Sequence, residues 1–182
     1  GDDAPARLLC HTVARTADLV ASYMIAGFVH GVLNSDNINV TGESFDYGPW
    51  RFLPRFDPGF TAAYFDHGGL YAFGRQAEAV FWNLTQLAGC LKLVAEVEPL
   101  TDALNGFGPA YIRELRAAFL MRLGVLSLGE AADQRLLDAT LSLLREGGGV
   151  EQGGQREWRQ GIRETGLGLH GEVGVAELQG EA

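Results

Sequence analysis

A chain of 182 residues, 47% of them hydrophobic, can bury one ordinary core, so a single domain is the expectation from length. Its formal net charge of -9, with no run of Lys or Arg, speaks against a nucleic-acid or anionic-membrane surface. The two cysteines, Cys10 and Cys90, stand far apart without metal-ligand spacing, and read as buried or half-buried free thiols in a reducing compartment, not as a disulfide framework.

The chain opens on Gly1-Asp2-Asp3, an acidic start unlike a signal peptide, with Asp2, Asp3 and Pro5 as helix-start signals. From Arg7 to Val29, apolar residues at Leu9, Val13, Val20, Met24 and Phe28 predict one long helix. Its run from Leu19 to Val29 is interrupted and too short to cross a bilayer, and a soluble, cytoplasmic protein is expected. The loop His30 to Asn37 follows. Ile38 to Val40 and Ser44 to Phe45 then read as two short strands joined by Thr41-Gly42-Glu43, with Gly42 supplying the turn.

Tyr47 to Gly69 is aperiodic and rich in Pro, Gly, Asp and aromatics, which predicts an ordered loop pinned by aromatic burial. A helix is expected from Gln76 to Ala95, with Ala77, Val80, Phe81, Leu84, Leu87, Ala88, Leu91 and Val94 on one face. Pro99 ends or restarts the chain. Further helices are predicted from Pro109 to Leu123, with Ile112, Leu115, Phe119 and Leu123 inward, and from Glu130 to Arg145, burying Leu136, Leu137, Thr140, Leu141 and Leu144. The composition changes after Glu146, so the division is a helical body at 1-146 and a loosely held, Gly-rich tail at 147-182, with a short helix allowed from Gln155 to Arg163 on Trp158 and Ile162.

The chemistry collects between His30 and Pro49. Asp36 and Asn37, then a short turn-back, then Asp46 on a Gly-Pro turn bring three oxygen-bearing side chains together, a site suited to Mg²⁺ and phosphate. Kinase-type sites have this form: a His opens the loop, an Asn seven residues later holds a metal, and an Asp on a D-F-G-like turn holds it from the other side. Asp46-Tyr47-Gly48 stands in that last place, but Val32 occupies the position where kinases carry the catalytic Asp, and a valine accepts no proton. The plainer alternatives are that Asn37 caps a turn, that Asp46 opens an Asp-x-Gly turn, and that Asp36 is a solvated loop residue. His30 reads as a brace of the loop, Asp57 as the cap of the turn after it, and Asp66 and His67 as a polar surface pair.

The run His30-Gly31-Val32-Leu33-Asn34-Ser35-Asp36-Asn37, then Asp46-Tyr47-Gly48-Pro49 and Phe56-Asp57-Pro58-Gly59-Phe60, resembles the selenoprotein O family. Tyr71-Ala72-Phe73, Trp82-Asn83-Leu84 and Phe107-Gly108-Pro109-Ala110-Tyr111 extend the likeness over roughly Ala6 to Gly147. The resemblance implies a mainly α fold, the C-terminal lobe of a protein-kinase-like protein with a small β-hairpin carrying the site. It also implies a protein adenylyltransferase that moves AMP from ATP to Ser, Thr or Tyr hydroxyls, with Mg²⁺ or Mn²⁺ as cofactor. In that reading Asp36 is the general base, Asn37 and Asp46 hold the metal, and Asp46 also serves the nucleotide.

The family's N-terminal, nucleotide-clamping lobe has no counterpart before Gly1, so the expectation is an incomplete or inactive fragment with Trp50 and Phe52 partly exposed. Ala62 stands where some members carry a regulatory cysteine, and a thiol switch is not expected. Two other readings remain open at this point, a small-molecule or protein kinase-like phosphotransferase and a non-catalytic helical domain that binds a protein.

Overall fold

Asp3 starts the first helix by accepting a hydrogen bond from Ala6 N–H at 3.1 Å, and Pro5 sits in the first turn, where no helical N–H is needed. This helix, α1 (Ala4–Ala26), stops at Gly27, whose φ of 68° is the left-handed C-terminal conformation that glycine adopts without strain. It therefore ends short of the predicted Val29. The next two residues instead form β1 (Phe28–Val29), antiparallel to β2 (Arg51–Phe52), with Phe28 opposite Phe52 and Val29 opposite Arg51. The computed structural model describes residues 3-147; the tail predicted at 147-182, with its helix from Gln155 to Arg163, lies outside them from residue 148 onward.

The remainder of the body is helical: α2 (Gln76–Leu91), α3 (Val97–Asn105), α4 (Phe107–Leu123) and α5 (Glu130–Gly147), with single 3-10 turns at Ser35–Asn37 and Phe73–Arg75. Mainly α is thus the observed class. Leu9, Val13, Ala17, Val20 and Ala21 form the inward stripe of α1 and meet Val80, Leu84 and Ala88 of α2, Leu100 and Leu104 of α3, and Phe107 and Tyr111 of α4. Each large side chain buried there contributes about 1.5 to 3 kcal/mol. Phe107, fully buried, stacks on Tyr111 at 6.1 Å and tilts against Phe81 at 5.6 Å.

Of the two roles expected of Pro99, the restart is the one observed: it lies in the first turn of α3, where its missing N–H breaks no bond. Other expectations need correction. Helix α2 ends at Leu91, so Val94 falls past the packed face and is 73% exposed. Ile112 and Leu123 on α4, and Leu136 and Leu144 on α5, are exposed because α5 packs on α4 through a narrow stripe, Leu137 and Leu141 against Phe119 and Leu120. Cys10 and Cys90 are exposed, since Cys10 lies about 100° round the helix from Leu9 and Cys90 lies off the Val80-Leu84-Ala88 stripe. Among the described residues no helix is long and apolar enough to cross a membrane.

The predicted hairpin is reduced to one bridge, Ile38 with Ser44. Asn39 takes over the turn: its Oδ1 accepts from the N–H groups of Thr41 at 3.0 Å and Glu43 at 3.4 Å, local bonds that compete with a regular ladder. The loop from Tyr47 to Gly69 is pinned as expected at Phe56 and Phe60, which pack on Val29, Ala62 and Phe73. Trp50 and Phe52 are 46% and 56% exposed.

Gly42 is the tightest joint between the reversal and α1. Its φ is 83°, and a Cβ there would lie 2.3 Å from Arg15 Cβ and 3.0 Å from the Arg15 carbonyl carbon. Gly42→Ala should therefore destabilise the chain by more than the about 1 to 3 kcal/mol of the backbone conformation alone. Gly68→Ala, with nothing within 4 Å of its added methyl, should stay within about 0.5 kcal/mol of wild type. Equilibrium denaturation of both variants checks this; equal midpoints would show that the reversal is not seated on α1.

Candidate active site

The loop that leaves β1 is fixed from two sides. Gln76, fully buried at the start of α2, accepts from His30 N–H at 3.0 Å and donates from Nε2 to the Phe28 carbonyl at 2.9 Å. Seven residues along α2, Asn83 donates to the Leu33 carbonyl at 2.8 Å. Gly31 takes a φ of 89° between Pro49 and Ala62, whose side-chain carbons would lie 3.0 and 3.1 Å from an added Cβ. Only glycine fits that approach.

His30 is fully buried and works as a brace. Its Nε2–H donates to the Phe45 carbonyl at 2.9 Å, and Nδ1 faces Val32 N–H at 3.4 Å, an arrangement that suits the neutral ring. Burial pushes its pKa below the ordinary value, and the Phe45 carbonyl and the charge of Asp46 partly oppose the shift.

Within the loop, Asp36 and Asn37 share the 3-10 turn Ser35–Asn37. Adjacent residues of such a turn point about 120° apart, so Asp36 is exposed while Asn37 is buried. Asn37 donates from Nδ2 to the Val32 carbonyl at 2.9 Å, which leaves its Oδ1 as the end that could meet a cation. Its own carbonyl accepts from Phe45 N–H at 3.0 Å, so Asp46 follows directly on the residue opposite Asn37. Asp46 is the one non-glycine among the described residues with a positive φ, 57°, and its carboxylate is exposed on the Asp-Tyr-Gly-Pro turn. Asp tolerates this region better than most side chains.

An amide oxygen and one carboxylate on neighbouring positions are hard donors that fit Mg²⁺, which keeps waters and phosphate oxygens in its remaining places. Among the described residues no group of three or more His, Cys, Asp or Glu is placed to hold a metal ion. Asp36 lies near enough to Tyr71 that its charge, after burial and Asp66, helps to raise the phenol's pKa.

The other acidic loop residues have structural partners. Asp57 accepts from Gly59 N–H at 2.9 Å, the cap expected of it. Asp66 does not pair with His67; its two oxygens accept from the N–H groups of Leu70 and Tyr71, each at 2.8 Å. Sequence reasoning missed Gln76 and Asn83 as supports of the loop. The available signal was two amides on the apolar face of α2.

A family model described as protein adenylyltransferase SelO matches residues 2-149. The chain belongs to the SelO family. Curated members include proteins named protein nucleotidyltransferase YdiU. The one from Trichodesmium erythraeum is 46% identical over 134 residues, covering 74% of this chain and 28% of the relative. That of Rhodococcus jostii is 41% identical over 142 residues, 75% of this chain and 27% of the relative, and that of Vibrio vulnificus 39% over 134 residues, 74% and 27%. The chain thus spans a little over a quarter of the length of these SelO-family relatives, and the matched region contains the whole loop and turn described above.

The buried neutral His30 makes stability depend on pH. With its folded pKa below the ordinary 6.5, its contribution is fully present above that value and is lost as the pH falls, because the unfolded chain then takes up a proton that the folded one resists. Unfolding free energy measured from pH 7.5 down to about 5 should show this loss, and His30→Gln should lower stability throughout while flattening that part of the curve. Identical slopes in the two proteins would contradict the assignment.

Proposed function

We propose that this chain carries the catalytic loop and metal-binding turn of a protein adenylyltransferase that transfers AMP from ATP to Ser, Thr or Tyr hydroxyls of proteins. The observation that carries the reading is the juxtaposition of Asn37 and Asp46 across the Phe45-to-Asn37 hydrogen bond, with Asp36 exposed beside them. Membership of the SelO family supports the nucleotidyl chemistry. A kinase-like lobe, with a helical body beneath the loop, is the arrangement that goes with it. The exposed thiols of Cys10 and Cys90 suit a reducing, cytoplasmic setting.

In this reading the acceptor hydroxyl oxygen forms a bond to the α-phosphorus of ATP as the bond from that phosphorus to the bridging oxygen breaks, and pyrophosphate leaves. Asp36 accepts the hydroxyl proton. Asn37 and Asp46 would hold Mg²⁺ or Mn²⁺, which when bound supplies positive charge against the triphosphate. His30 keeps Phe45 and therefore the Asp46 turn in register with the loop. Val32, without a proton acceptor, leaves Asp36 as the carboxylate of the loop itself.

The test uses the full-length gene product with ATP labelled at the α-phosphate, Mg²⁺ or Mn²⁺ and a protein acceptor. Label should enter protein with release of pyrophosphate. Asp36→Ala should lower transfer by about a hundredfold or more, the usual scale for a lost general base, with ATP affinity changed only a few-fold. Undiminished transfer in the variant would remove the base role. Label transferred only from the γ-phosphate, with ADP as product, would move the reading to a kinase-like phosphotransferase.

A further inference from the structure

The inward face of α2 carries two amides, Gln76 and Asn83, among Ala77, Val80, Leu84 and Ala88. Seven residues make nearly two helical turns, so both amides project from one side of the helix, about 10 Å apart along its axis. Gln76 holds the start of the loop at Phe28 and His30, and Asn83 holds it at Leu33. One rod thus grips both ends of the segment. Val32, next to the residue that Asn83 holds, gives its carbonyl to the side chain of Asn37. Asn83 Oδ1 and Asn34 Oδ1 are buried with no partner among the described residues. A buried lone acceptor is unfavourable, so the amide at 83 carries a cost that its bond to the Leu33 carbonyl, the far anchor of the loop, offsets.

We propose that Gln76 and Asn83 are positioning residues for the transfer reaction: through the backbone of Phe28, His30 and Leu33 they set where the turn bearing Asp36 and Asn37 stands. The inference rests on the function proposed above. Neither residue touches substrate in this account. Their effect reaches the reacting atoms through placement, and a displacement of about 1 Å at such a site can cost on the order of a hundredfold in rate.

The test is again made on the full-length gene product, with two variants chosen to fail differently. Asn83→Ala should lower kcat on the order of tenfold to a hundredfold while KM for ATP moves less than about threefold, because misplacement is felt at the reacting centre more than in nucleotide binding. Gln76→Glu should be pH-dependent. A neutral carboxyl can accept from His30 N–H and donate to the Phe28 carbonyl as the amide does, whereas an ionised one cannot donate. Burial beside a carbonyl raises the pKa of the introduced carboxyl, so kcat of this variant should approach wild type at the acid end and fall as pH rises, a trend absent from wild type.

Thermal unfolding of each variant, followed in parallel, gives the folded fraction. Variants that lower only Tm, with wild-type kcat per folded molecule at every pH, would overturn the positioning role while leaving the function standing. Absence of AMP transfer by the wild-type protein would overturn both.

Discussion

The Gln76 carboxamide satisfies two backbone groups at once, the buried His30 N–H and the half-buried Phe28 carbonyl, and the site depends on it. Where the chain leaves α1 it runs inward as β1, with β2 along one edge and the Leu53 N–H donating to the Gly27 carbonyl at 2.8 Å. Along the other edge Gln76 takes the place of a strand, because a planar carboxamide offers one donor and one acceptor as a peptide group does. Each of these groups left unpaired would cost about 1 to 3 kcal/mol, a large share of the about 5 to 15 kcal/mol by which a domain is stable. From this bond the order runs outward: His30 is held in place, its ring fixes the Phe45 carbonyl, and Phe45 in turn bonds Asn37 and precedes Asp46.

The reversal between Asn37 and Asp46 is seated on α1 at three places. The Thr12 hydroxyl donates to the Val40 carbonyl at 2.9 Å, Gly42 lies against Arg15, and buried Ser44 meets the hydroxyls of Tyr23 and Tyr47. Tyr47 also donates to the Ser44 carbonyl at 2.7 Å. Burial drives the Tyr23 hydroxyl well above its ordinary pKa, so it stays protonated. Such fastening suits a site that works by placement, since polar groups aimed in advance need no reorganisation when charge develops. Around the same turn Phe28 stacks on Trp50 at 5.9 Å and meets Tyr47 edge-on at 6.0 Å, which ties the Asp46 turn back to β1.

The long helices were legible because a stripe such as Leu9-Val13-Ala17-Val20 repeats the helical period often enough to stand out. The start of α1 followed from Pro5, but its stop at Gly27 was not read from the sequence, which carried the helix on to Val29. Helix α3 was obscured because its nine residues show only Leu100, Ala103 and Leu104 inward, and Pro99 masked its start. A two-residue strand has no period to read, so β1 was absorbed into the preceding helix. The loop and turn at His30–Asn37 and Asp46–Pro49 could be recognised from residue order. Their supports could not, because the partners of Gln76 and Asn83 are backbone groups 46 to 50 positions away, which any sequence can supply.

The central claim is that Asn37 and Asp46 hold one cation against a nucleotide. A crystal structure of the full-length gene product with Mg²⁺ and a non-hydrolysable ATP analogue tests it most directly. The account predicts that Asn37 Oδ1 and an Asp46 carboxylate oxygen both lie about 2.0 to 2.1 Å from a single ion that also contacts the phosphates. An ion bound to the phosphates through other residues, with Asn37 and Asp46 outside its coordination sphere, would contradict it.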